Sequence, residues 1–74
     1  MTENILNFVR EYRKRAGLTQ EDLARAIGVS RQTIISIERG RYIPSLPLAL
    51  KLARHFGCST DDMFKFEEDG GNGR

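Results

Sequence analysis

Residues 20–40, QEDLARAIGVSRQTIISIERG, constrain the fold more than any other part of the chain. Two helical patterns stand on either side of a three-residue break. Two helices joined so closely pack at a steep angle only if the residues between them are small or apolar at fixed places. Counting Gln20 as one, Ala24 is fifth and Gly28 ninth. Leu23, Ile27, Val29, Ile34 and Ile37 fall at four, eight, ten, fifteen and eighteen. Ala24 lets the helices approach, and Gly28 makes the turn because glycine enters the left-handed conformation without a Cβ clash. The five apolar side chains form the wedge between the helices.

The flanking sequence supplies the rest of a helical domain. From Glu3 to Ala16, the positions Ile5, Val9, Tyr12 and Ala16 recur at three or four residues, with Thr2 as N-cap and Gly17 as stop, predicting helix one. Thr19 with Asp22 forms a capping-box-like start for helix two. Ser30 caps helix three, and Gly40 closes it. Pro44 disfavours helix at Ile43, Ser45 caps helix four, and Pro47 sits where a missing amide hydrogen costs nothing. Ala49, Leu50, Ala53 and Phe56 are expected to form its inward stripe. Thr60 with DDMF predicts a short fifth helix with carboxylates at its positive end. No strand pattern runs more than a few residues. The expected architecture is therefore all-α, a compact five-helix bundle over residues 1–66, with the helix-turn-helix at 20–39. A disordered acidic tail at 67–74 is expected to follow.

A chain of 74 residues is one domain with a modest core, so a partner subunit would help to stabilise it. Net charge is +2, unevenly spread. Residues 1–60 hold ten Lys/Arg against five Asp/Glu, and 61–74 hold two against five, so the body is basic and suits a polyanionic partner. The sequence shows neither an apolar run of membrane-spanning length nor a signal peptide at the N-terminus. The sole cysteine, Cys58, suits a reducing cytoplasm.

The strings RKRAGLTQEDLARAIGVS, RQTIISIERG, PSLPLALKLARHFG and STDDMF occur in order, and from about Val9 to Phe64 the chain resembles the Cro/C1-type (XRE) helix-turn-helix family. The resemblance implies a lambda-repressor-like five-helix bundle. Such a bundle places helix three in the major groove of double-stranded DNA, usually as a homodimer controlling transcription. It also matches Arg13 and Glu38 to a family ion pair between helix one and the end of helix three. Gln20 falls at a position that similar proteins use against the DNA backbone.

The residues speak to the same partner. On a helical wheel, Arg31, Gln32, Ile35, Ser36 and Arg39 lie opposite Thr33, Ile34 and Ile37 and should face outward. Arginine and glutamine make bidentate hydrogen bonds to guanine and adenine, and isoleucine meets a thymine methyl. Arg31, Gln32, Ile35 and Ser36 are accordingly the expected base contacts. Thr19, Gln20, Arg39, Arg41 and Tyr42 are the phosphate candidates, since a helix N-terminus favours an anion. The plainer alternatives stay open: a solvated face for helix three, and a cap without a ligand at Thr19 and Gln20. Arg10, Lys14, Arg15 and Arg25 read as ordinary surface charges.

His55 stands without a metal-ligating companion, and Cys58 reads as a buried, inert thiol. The residues present neither a catalytic constellation nor a metal, cofactor or small-molecule site. Met63 and Phe66 are expected at a dimer interface, with Phe64 turned inward beside Phe56. The expected function is a DNA-binding regulator, most simply a repressor on a palindromic operator. The alternative is an antitoxin or adaptor that chiefly binds another protein.

Overall fold

The computed structural model describes residues 4–67. Strand β1 (Ile5–Asn7) leads into five helices: α1 (Val9–Arg15), α2 (Gln20–Ile27), α3 (Arg31–Glu38), α4 (Leu46–His55) and α5 (Thr60–Met63). Strand β2 (Phe64–Phe66) follows directly and pairs antiparallel with β1, in the register Ile5↔Phe66, Leu6↔Lys65 and Asn7↔Phe64.

The helix starts follow the side-chain chemistry. Thr19 Oγ1 accepts from the Asp22 amide at 2.9 Å, and Asp22 Oδ2 accepts from the Thr19 amide at 3.0 Å. The carboxylate of aspartate thus completes the box that glutamate more often completes. Ser30 and Ser45 accept from the amides of Thr33 and Leu48. At the α2–α3 turn, Gly28 adopts φ +88° and its amide donates to Ala24 O at 2.8 Å, so a side chain there would strain the backbone.

The core is Val9, Leu23, Ala24, Ile27, Ile34, Ile37, Leu52 and Met63, with Tyr12, Val29, Leu48, Phe56, Cys58 and Phe64 packed against it. Four of the five wedge residues at the α2–α3 angle are buried, and Val29 is half-buried.

Five expectations need correction. The fold is mostly helical rather than all-α. Ile5 belongs to β1, and α1 starts at Val9 instead of near Glu3; Thr2 lies outside the described residues. The cause is a nonlocal pairing. The Phe8 amide donates to Met63 O and the Glu67 amide to Asn4 O, both at 2.9 Å, extending the ribbon to each side. Glu67, assigned to the tail, is therefore tied to β1, and 68–74 lie outside the described residues.

The third correction concerns Met63, expected at a dimer interface. It is fully buried within its own chain, because the one-turn α5 directs it into the core before β2 turns outward. Fourth, Leu50 is exposed on α4 while Leu52 is buried and Leu48 packs on the core. Fifth, Ser59, one residue ahead of Thr60, caps α5. Phe66, in contrast, is exposed.

Met63→Ala should lower the unfolding free energy by about 2–5 kcal/mol, the range for truncating a large buried side chain. Urea titration checks it, and the association state of the folded variant should match that of the wild type.

Candidate nucleic-acid interface

A buried carboxylate organises this face of the molecule. Arg13 donates from Nε to Glu38 Oε2 at 2.6 Å and from Nη2 to Glu38 Oε1 at 3.1 Å. The same Oε1 accepts from Gln20 Nε2 at 3.1 Å, and Arg13 Nη1 donates to Leu18 O at 2.9 Å. The Arg13 and Glu38 side chains are only 10% and 4% exposed. Glu38, whose hydrogen bonds are the largest influence, raises the Arg13 pKa further above its ordinary value. One anion at the end of α3 therefore ties together α1, the α1–α2 loop and the first residue of α2.

The arrangement matters for Gln20. With one amide N–H engaged by Glu38, the second points away as a spare donor. The amides of Gln20 and Glu21 lie in the first helical turn, where no intrahelical acceptor exists. Arg10, Thr19, Gln20 and Arg39 line a common open concavity at this helix end. Arg10 was read from sequence as a plain surface charge, yet it stands beside the phosphate candidates. Its signal was its place one helical turn before Arg13, on the same face of α1.

Arg31 and Gln32 are exposed in the first turn of α3, directly after the Ser30 cap. Ile35 and Ser36, farther along, are half-buried and offer less surface. At the far end of α3, the Gly40 amide donates to Ile37 O and the Arg41 amide to Ser36 O at 2.9 Å. That closure presents Arg41 and Tyr42, both exposed, at a fixed distance along the chain from the helix. Sequence reasoning missed Asn7: its Nδ2 donates to Ile37 O at 2.8 Å and its Oδ1 accepts from the Val9 amide at 3.2 Å. No local pattern marks such a residue, because its partner is 30 positions away.

His55 is exposed, with its ring edge against Phe56 at 4.9 Å. Cys58 is half-buried against the core, less enclosed than expected. Among the described residues, no group of three His, Cys, Asp or Glu side chains could hold a metal ion, and no helix is long and apolar enough to cross a membrane.

Residues 9–63 match the model of a helix-turn-helix family. An uncharacterised helix-turn-helix-type transcriptional regulator of Methanocaldococcus jannaschii is 56% identical over 63 residues, covering 85% of this chain and 96% of that protein. Among solved structures, the restriction-modification controller protein C.AhdI from Aeromonas hydrophila superposes with a TM-score of 0.67 at 37% identity, over 73% of this chain and 82% of that one. The SOS-response transcriptional repressor LexA from Eubacterium rectale superposes with a TM-score of 0.71 at 29% identity, over 89% and 67% of the respective chains.

Two predictions follow from this geometry. Glu38→Ala strands the Arg13 guanidinium in a nearly closed site and should cost about 3–5 kcal/mol, whereas Arg13→Met combined with Glu38→Leu should cost much less. A double-mutant cycle in urea measures both.

The second concerns acid. Hydrogen bonding by the Thr19 amide, then by its hydroxyl, holds the Asp22 carboxyl below its ordinary 3.8, and the Ser59 amide and hydroxyl act likewise on Asp62. A carboxyl depressed on folding contributes stability that is present above the unfolded value and is lost as pH falls through the folded one. Melting temperature should therefore drop as the pH falls below about 4, near the ordinary aspartate value. The drop should be shallower in Asp22→Asn, which calorimetry across pH can follow.

Proposed function

Because the chain belongs to the Cro/C1-type (XRE) helix-turn-helix family of DNA-binding transcriptional regulators, a class that does not work by catalysis, we propose that it is a sequence-specific repressor. On this reading it binds a palindromic operator as a homodimer, with α3 in the major groove. The observation that carries the reading is the first turn of α3. Arg31 and Gln32 stand free in solvent there, on a helix whose other end is anchored by Glu38. Such side chains read guanine and adenine edges, with Ile35 and Ser36 as shorter-range contacts.

Around that helix, Thr19, Gln20, Arg39, Arg41 and Tyr42 bind phosphates and fix register, and Arg10 joins them from α1. The repressor assignment is supported by the likeness to LexA, which is a transcriptional repressor. Occupying an operator suffices to block transcription without a separate effector domain. A regulator of this kind works in the cytoplasm, where the unpaired Cys58 thiol is at home.

Selection of bound sites from random duplex DNA tests the proposal, with a palindromic consensus as the expected result. On the selected site, Arg31→Ala or Gln32→Ala should cost about 1–3 kcal/mol and leave non-specific binding largely intact. Equal losses on specific and random DNA would remove the base-reading assignment. With roughly three phosphate contacts per subunit, the log of affinity should fall with log salt at a slope near −5. Gln20→Ala and Arg41→Ala should weaken binding to all sequences alike.

A further inference from the structure

Helix α4 carries more apolar residues than its core contact uses. Leu48, Leu52, Ala53 and Phe56 face the interior, while Leu46 and Leu50, one turn apart, stand exposed at 68% and 52%. Ile43, just before the helix, and Phe66 on β2 are each 63% exposed. These side chains are connected. In the ribbon register Phe66 lies opposite Ile5 and Phe64 opposite Asn7, so Ile5, Phe64 and Phe66 share one ribbon face while Leu6 and Lys65 occupy the other. Ile5 and Phe64 then line a recess walled by Ile43 and Leu46.

We infer that the surface built from Ile5, Ile43, Leu46, Leu50, Phe64 and Phe66 is the face on which a second copy of this chain docks. The choice of a second copy rests on the proposed DNA reading, which needs two recognition helices.

Size supports it. Four protruding side chains at these exposures present on the order of 450 Å², taking about 150–250 Å² for each large side chain. That is more than half of the roughly 800 Å² per partner of a standard interface. A patch of this size exceeds what monomers usually leave in water. Charge agrees. In a chain with 30% charged residues, the recess is lined by one ionisable group, Asp61. Depletion of charge marks an interface centre. Shape agrees as well, since a two-fold contact needs projection and hollow on one patch, and Leu46 projects beside the recess it helps to wall. Residues 68–74, EDGGNGR, carry no apolar side chain suited to that recess. Position completes the case, because Ile43 directly follows Tyr42, so the surface begins where the phosphate candidates end.

The test is sedimentation equilibrium of the full chain without DNA, at micromolar concentration. The wild type should be a dimer. Leu46→Glu should be folded by circular dichroism yet monomeric, its dimer dissociation constant raised about a hundredfold or more, as for a charge placed at an interface centre. Leu6→Glu, on the opposite ribbon face, should remain dimeric. In a Cys58→Ser background, Leu46→Cys should also be joined to its partner by a short bis-maleimide.

A monomeric wild type would overturn the inference and leave the recess to a different apolar partner. A dimeric Leu46→Glu would overturn it by moving the interface elsewhere. The DNA reading fails separately. A wild type that dimerises as described but selects no DNA would sink that reading and leave this face standing, whereas operator binding by a monomer would do the reverse.

Discussion

The Glu38 carboxylate is the point on which the arrangement of α1, α2 and α3 turns. It is nearly closed from solvent, it belongs to the helix expected to read DNA, and its hydrogen bonds come from a guanidinium on α1 and an amide at the start of α2. Desolvating such a pair offsets most of its Coulomb attraction, so the gain is in geometry more than in net stability. A hydrophobic pair could fill the volume. It could not hold Gln20 in one orientation or set α3 at one height against the α2 N-terminus. In a domain with so small a core, direction must come from bonds that are themselves directional.

A second restraint acts on the same helix end from the opposite side. The chain pairs β1 with β2, and the ribbon brings Asn7 to the carbonyl of Ile37, next in sequence to Glu38. The last turn of α3 is thereby held by an ion pair on one flank and an amide on the other. Its carbonyls are closed beyond that point by the Gly40 and Arg41 amides. Orphan groups at a helix end need partners, and here the partners also aim the loop that carries Arg41 and Tyr42.

The helices were legible because their signals are local. Thr19 with Asp22, Ser30 and Ser45 each satisfy an amide two or three residues away, and once Ser30 fixes where α3 starts, the outward phase of Arg31 and Gln32 follows. What escaped depends on distant partners. Three-residue strands have no period to detect, and Ile5 fits a helical pattern with Val9 and Tyr12 as well as it fits a strand. Asn7 and Arg10 acquire their roles only when Ile37 and Arg39 are brought near. Helix α4 defeated the pattern in another way. With leucine at 46, 48, 50 and 52, two apolar stripes satisfy helical spacing, and only the packed structure shows that Leu48 and Leu52 face in. Met63 and Phe66 were assigned alike as spare apolar groups. A change from helix to strand between them sends one into the core and the other to solvent.

The two surplus faces in this fold are linked by a short path. Helix α3 turns outward a polar face that its own core does not need, and α4 turns outward an apolar one. Between them run six residues, 40–45, bounded by the amide bonds that close α3 and by the Ser45 cap that opens α4. Pro44 stiffens this connection, and Asn7 braces its start from the ribbon that also carries Phe66. Two copies meeting across the apolar face would therefore pass their separation to the recognition helices through few soft dihedrals. The spacing between half-sites on DNA would then be a property of the packed domain itself, as the geometry of a paired helix-turn-helix requires.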